Sequence, residues 1–299
     1  MWGYQIMKRS LLAAVVGTAL ITVSGTVEAI TQGYPDGTGH PNVGFIAIEY
    51  IYGPKLYQQC SGTLIAPQVF LTVSECTAGL DIGLNPNNGN IRNLYVGFDN
   101  CFPNEENQKN PQCDPWLPLS LVDKVVTNPV YSQTHKSEDG NIAVLLLNKP
   151  SYIEPASLPQ LGELDRLHAK GGLKGQIFTA VGYGATLIYQ GGGPRTFGGF
   201  GVRSYAYSDY NALAPGYLYL SMNPATGDGG TCWGDSGGPN FFDGTSTIAA
   251  LTVKGDAVCR ATNVDYRLDT PAAHTFLSYV QQTYPDYVPT SGFNYLPLP

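Results

Sequence analysis

Charge is scarce in this chain, and positive charge is scarcer than negative. Lys and Arg number 16 against 23 Asp and Glu, giving a formal charge of −7, and charged residues make up only 13% of the 299. So few cations cannot neutralise a phosphate backbone, which sets nucleic acid aside as a partner. Histidine is limited to His40, His135, His168 and His274, and none of the six cysteines forms a Cys-x-x-Cys pair. The ligand spacing of a zinc site is therefore missing, and neither a metal nor another cofactor is expected. The mostly apolar run from Leu11 to Val23 is thirteen residues, short of the roughly 20 that a membrane span needs. No internal repeat is visible, which removes the solenoid architectures.

Turn formers and aromatics are abundant: Gly is 36, Pro 22 and Tyr 20. With little charge, that composition favours short strands and many loops over long helices. Lys8-Arg9 before the apolar run and Val27-Glu28-Ala29 after it have the form of a secretory signal, with Met7 as the tidier start. Residues 1–29 are read as that signal, 30–284 as the mature domain and 285–299 as a tail, with no membrane attachment once the signal is removed. Export permits cysteine oxidation. The spacings Cys60 to Cys76, Cys101 to Cys113 and Cys232 to Cys259 suggest three local bridges.

Apolar runs bounded by turn residues read as strands at 44–52, 69–73, 142–147, 177–181, 217–220 and 248–253. The Asn- and Pro-rich stretch from Asp81 to Pro118 reads as one long loop pinned by its own bridge. Its Asp99, Glu105 and Glu106 could hold calcium, but a solvated acidic loop is the simpler reading. Thr270 as N-cap, Pro271 behind it, and Phe276, Tyr279 and Val280 at helical spacing predict a helix through to about Tyr284.

The segment that carries chemistry is Thr231-Cys232-Trp233-Gly234-Asp235-Ser236-Gly237-Gly238-Pro239. Glycines flanking a serine let the backbone turn sharply and expose the hydroxyl. They also aim the N–H groups of Gly234 and Ser236 at one point, the arrangement of an oxyanion hole. With this nonamer, three further segments, Cys60-Ser-Gly-Thr-Leu-Ile65, Leu71-Thr-Val-Ser-Glu-Cys76 and Asn141-Ile-Ala-Val-Leu145, make the sequence resemble the trypsin-like (chymotrypsin-fold) serine peptidases. A fourth match is Gly255 with Cys259 four residues on. The resemblance runs from Ile30 to Tyr284. It implies an all-β fold of two packed six-stranded antiparallel barrels, a C-terminal helix, and an active site between the barrels. It also places Cys60–Cys76 and Cys232–Cys259 at family disulfide positions.

Two positions depart decisively. Where the family has its catalytic histidine this chain has Glu75, and where it has the aspartate this chain has Asn141. A serine hydroxyl needs a base that removes its proton and later returns it to the leaving group. Imidazole, with a free pKa of about 6.5, does both near neutrality, whereas a glutamate starts near 4.3 and is seldom protonated there. Burial of Glu75 would raise that value, and an amide donor from Asn141 would pull it back. Loss of the base in comparable triads costs roughly 10⁶-fold in turnover. His135, six residues before Asn141, and Glu138 and Asp139 on the same loop are the candidates for a rescuing base, although an exposed loop histidine is ordinarily just solvated.

The resemblance implies a side-chain pocket with Gly230 at its floor and Val253, Lys254 and Gly255 on its wall, an uncharged slot for an apolar or aromatic group. It also implies that Ile30, directly after the signal, presents an ammonium to Asp235. The leading expectation is a secreted, monomeric, proteolytically inactive homologue whose cleft takes a peptide or protein ligand. The rivals are a serine hydrolase using Glu75 as base, and a structural protein in which the cleft is idle.

Overall fold

The computed structural model describes residues 30–53, 55–80, 90–102, 119–132, 140–188 and 196–297. The leader, Glu105, Glu106, Cys113 and His135 lie outside the described residues. A short first strand, β1 (Tyr34–Pro35), precedes a closed barrel of six strands. These are β2 (Val43–Tyr50), β3 (Leu56–Ala66), β4 (Val69–Thr72), β5 (Ile91–Gly97), β6 (Ser120–Thr127) and β7 (Ala143–Leu147). They pair in the order β2-β3-β4-β7-β6-β5, and β5 returns antiparallel to β2. Closure removes the exposed sheet edges that so many short strands would otherwise leave.

After helix α1 (Glu163–Ala169), the chain builds a second barrel around β8 (Ile177–Gly182), with a small β9–β10 hairpin (Thr186–Ile188 and Thr196–Gly198) outside it. The remaining strands are β11 (Ser204–Leu213), β12 (Tyr217–Ser221), β13 (Pro239–Phe242), β14 (Ile248–Gly255) and β15 (Thr262–Arg267). The order β11-β12-β15-β14-β13-β8 closes through a second pairing of β8 with β11. β1 adds to the outside of this barrel at β11, so the N-terminal segment belongs to the second barrel before the chain enters the first. All five residues of β7 are buried. One apolar cluster joins Val144, Leu145 and Phe70 of the first barrel to Val181, Phe241 and Leu251 of the second.

The C-terminal helix α2 (Pro271–Thr283) forms where expected, and Thr270 Oγ1 accepts the Ala273 N–H at 3.2 Å. Ala273, Phe276, Leu277 and Val280 are buried, but Tyr279, expected in the same stripe, is 42% exposed. The long loop expected from Asp81 to Pro118 contains β5, whose Ile91, Leu94 and Val96 are buried in the core. Tail residues after Pro285, without an expected element, dock through buried Val288 and Phe293 and a parallel bridge between Leu158 and Tyr295.

Candidate functional site

Two disulfides fix the segments that meet between the barrels. Cys60–Cys76 ties β3 to a short 3-10 turn, Ser74–Cys76, that carries Glu75. Cys232–Cys259 ties the serine loop to the turn that follows β14. Cys101 is also oxidised, while Cys113, its expected partner, lies outside the described residues.

Glu75 and Asn141 come together as the sequence placed them. The Glu75 backbone N–H donates to Asn141 Oδ1 at 3.1 Å, and Asn141 Nδ2 donates to Glu75 Oε2 at 3.4 Å. Asn141 is fully buried and Glu75 half-buried. Their approach is set by Ser74, whose hydroxyl reaches Gly140 O at 3.1 Å and Ile142 O at 2.8 Å, locking the residues on either side of Asn141. The carboxamide fills both hydrogen-bonding roles at this place, whereas an ionised carboxylate beside Glu75 would set two like charges together.

The loop from Thr231 to Gly238 is held by backbone hydrogen bonds. Asp235 N–H donates to Cys232 O, Gly237 N–H to Thr252 O and Gly238 N–H to Asp235 O, at 2.8–3.1 Å. The N–H groups of Gly234 and Ser236 make no backbone hydrogen bond among the described residues, so two amides of one loop remain for a ligand atom. Gly237 has φ +81°, and a Cβ there would sit 2.0 Å from Thr72 Oγ1 and 2.5 Å from Ser61 O. The loop thus packs directly on the first barrel. Ser61 strengthens this contact: its N–H donates to Ser236 O, and its hydroxyl donates to Gly234 O and accepts from Tyr183 N–H.

Asp235 is fully buried, its Oδ1 accepting from Gly184 N–H at 2.7 Å and its Oδ2 from Cys232 N–H at 2.8 Å. Burial lifts its carboxyl from 3.8 to about 7, against the pull of those two amides. Ile30 is also fully buried, and next to it Thr31 pairs with Gly230 through two bonds of 3.0 Å. The start of the domain is therefore inserted in the second barrel near the serine loop.

A cavity of about 210 Å³ joins the two halves, with Glu75, Ser236, Gly234, Val253, Lys254 and Gly255 among its lining residues. Gly230 is not among them. Buried Met222 lies against it, with Cγ 2.3 Å and Sδ 2.6 Å from where a Cβ would be, so Gly230 faces methionine and Thr231 takes its place in the lining. Trp233, 57% exposed at the rim, and Asp256 also line the cavity and were not singled out from sequence. Trp233 lies inside the nonamer, so that signal was available. Lys254 Nζ lies over the Tyr217 ring at 5.7 Å.

Beneath the loop is a polar cluster that the sequence did not announce. Asn240 Nδ2 donates to Asp265 Oδ1 at 2.8 Å and to Thr252 Oγ1 at 3.1 Å, all three side chains being buried. Desolvation holds the Asp265 carboxyl well above the ordinary range, against the pull of its hydrogen bonds with Asn240 and Thr252.

Comparison with known proteins agrees with this architecture. A family model described as Trypsin matches residues 38–277. Chymotrypsin-like elastase family member 1 of Canis lupus familiaris is 25% identical over 216 residues, covering 69% of this chain and 74% of that protein. A solved structure of HL collagenase superposes with a TM-score of 0.59 at 15% identity, covering 86% of this chain and 99% of that one.

Proposed function

Because the chain belongs to the trypsin family, we propose that it is a secreted member that binds a peptide or protein segment in the interbarrel cleft without cleaving it. The observation that carries this reading is the Glu75–Asn141 pair, bonded at 3.1 and 3.4 Å, at the two positions that the sequence resemblance assigns to the family's proton-transfer pair. An ordinary carboxyl, with a free pKa of about 4.3, is a weaker base than imidazole toward a serine hydroxyl near pH 7 and is seldom in the acid form that returns the proton. The loop amides of Gly234 and Ser236 can still hold a carbonyl oxygen, and the cavity beside them can hold a side chain. Oxidised cysteines support export.

Removal of residues 1–29 would leave Ile30 as a new ammonium. Its burial, the Thr31–Gly230 pairing and the buried Asp235 carboxyl support an ion pair between that ammonium and Asp235, ordering the loop without a separate propeptide stage. A secreted protein starting anywhere but Ile30 rules this step out.

The second reading, hydrolysis with Glu75 as base, is favoured by one observation: Glu75 and Ser236 line the same cavity. Treating the purified mature chain with a fluorophosphonate from acid to alkaline pH separates the two. We expect no Ser236 adduct at pH 7 and retained binding of peptides from a library. Ready labelling of Ser236 would replace our reading with hydrolysis.

A further inference from the structure

The cleft is not the sole recess among the described residues. A groove of about 870 Å³ lies on the second barrel and shares no lining residue with the cavity beside Ser236. One wall is the segment from Pro35 to Asn42, and the other is the β13–β14 turn together with Asn294 and Leu296 of the tail. Both walls are fixed. Arg203 Nε donates to Asp36 Oδ2 at 2.8 Å, His40 Nδ1 lies 2.5 Å from Asp36 Oδ1, and the His40 ring stacks on Phe241 with centroids 5.3 Å apart. Burial works to raise the Asp36 carboxyl, but His40 and Arg203 outweigh it and keep it ionised. Across the groove, Asn294 Nδ2 donates to Ser157 Oγ at 3.1 Å, and the Ser157 N–H to Ser246 O at 2.9 Å.

We propose that this groove is a second binding site, for an extended peptide segment bearing arginine. Tyr205 and Tyr207 line it, and with Tyr34 they form a row with ring centroids 5.6 and 5.5 Å apart. Glu154 and Asp243 line it as well, and both are exposed. Neither has a cationic partner among the described residues; Asp243 Oδ1 accepts only the Thr179 hydroxyl, at 2.7 Å. No Lys or Arg lines the groove, and Arg203 beneath it is neutralised by Asp36. The surface therefore repels anions and offers two uncompensated carboxylates beside aromatic faces. A guanidinium fits both features, because its plane stacks on tyrosine and its paired N–H groups bond a carboxylate. A neutral glycan could stack on the same rings but would leave both charges uncompensated.

The test is fluorescence anisotropy of a fluorescein-labelled Gly-Arg-Gly-Arg-Gly-Arg peptide titrated with the mature chain at low and high salt. The citrulline version of the peptide keeps the shape and removes the charge. We expect saturable binding that weakens with salt, at least about tenfold weaker binding of the citrulline peptide, and a similar loss in Glu154→Gln/Asp243→Asn. Tyr207→Ala should weaken binding by about threefold with an unchanged salt slope. Asp123→Asn/Asp286→Asn alters net charge equally away from the groove and should leave binding unchanged. Absence of binding at low salt, equal affinity for the citrulline peptide, or equal losses in the two double variants would overturn the proposal. So would a neutral hexasaccharide that binds in place of the peptide. Circular dichroism of each variant confirms that a loss is not unfolding.

Discussion

In the second barrel's half of the cleft, the loop from Thr231 to Gly238 is held by backbone bonds, by a disulfide and by contact of Gly237 with Thr72 and Ser61. In the first barrel's half, the Asn141 carboxamide bonds the Glu75 backbone N–H and the Glu75 carboxylate, and Glu75 is half open to solvent. The first arrangement is backbone geometry on which packing of the two barrels depends. The second is side-chain chemistry that can change without disturbing that packing. Because the loop is packed against the first barrel, Ser236 in its glycine frame is as much a mark of fold as of activity.

That contrast can be broken most forcefully by restoring the weaker half. Glu75→His with Asn141→Asp should recover measurable cleavage of a chromogenic peptide. Glu75→His alone should recover about 10⁴-fold less, because asparagine holds imidazole in the wrong tautomer. A folded double variant with no turnover would mean that the other half has changed too, with Val253, Lys254 and Met222 the residues to examine.

The second test reads the loop through Asp235. While the chain continues upstream of Ile30, the folded carboxyl titrates near 7 against 3.8 ordinarily. The folded state then keeps a proton that the unfolded state releases. This contribution is full below about pH 4 and is lost as pH rises to about 7, a change of at most ~4 kcal/mol. If the Ile30 ammonium pairs with Asp235, the carboxylate is the stable form and the trend reverses. Urea denaturation at acid and neutral pH, on chains with and without residues before Ile30, should show opposite slopes. Parallel slopes would mean that Ile30 stays apart from Asp235.

A third test measures how far packing alone preserves the loop. Gly237→Ala introduces a Cβ at positive φ against Ser61 O and Thr72 Oγ1, and should cost about 3 kcal/mol from overpacking and backbone strain. An unchanged thermal midpoint would show that the loop is not a packing element.

Much of this was legible in the sequence, for physical reasons. Glycine-rich turns, cysteine spacing and buried apolar runs are local and one-dimensional, so the serine loop, the cysteine pairing and helix α2 were anticipated, and the two barrels followed from the resemblance that those segments carry. Strand β5 was obscured because its buried residues, Ile91, Leu94 and Val96, break the period of two and are embedded in Asn- and Pro-rich surroundings. Gly230 was expected at the pocket floor, but Met222, which covers it, comes from another strand's end and leaves no local trace. The Asn240–Thr252–Asp265 cluster and the tyrosine-lined groove were invisible for the same reason: they assemble residues from several elements. The disulfides could be paired from spacing, whereas Asp36 with Arg203, 167 residues apart, could not.

The smallest expected effect separates the two halves most directly. Ser74 and Ser61 are both fully buried serines that fasten chain segments to the cleft, one on each side. Ser74 bonds the carbonyls of Gly140 and Ile142, and Ser61 joins Gly234 O to Tyr183 N–H. Replacing either by alanine removes a hydroxyl and leaves buried backbone groups short of a partner, at about 1–2 kcal/mol each. The Ser61 variant should also mobilise the Gly234 and Ser236 amides and so weaken peptide binding in the cleft. The Ser74 variant loosens only the Glu75–Asn141 contact and should lose stability without losing binding. Thermal unfolding and peptide titration on both variants supply the comparison. Equal losses of peptide affinity would show that ligand binding draws on both halves, and that Glu75 with Asn141 forms part of the surface a ligand meets.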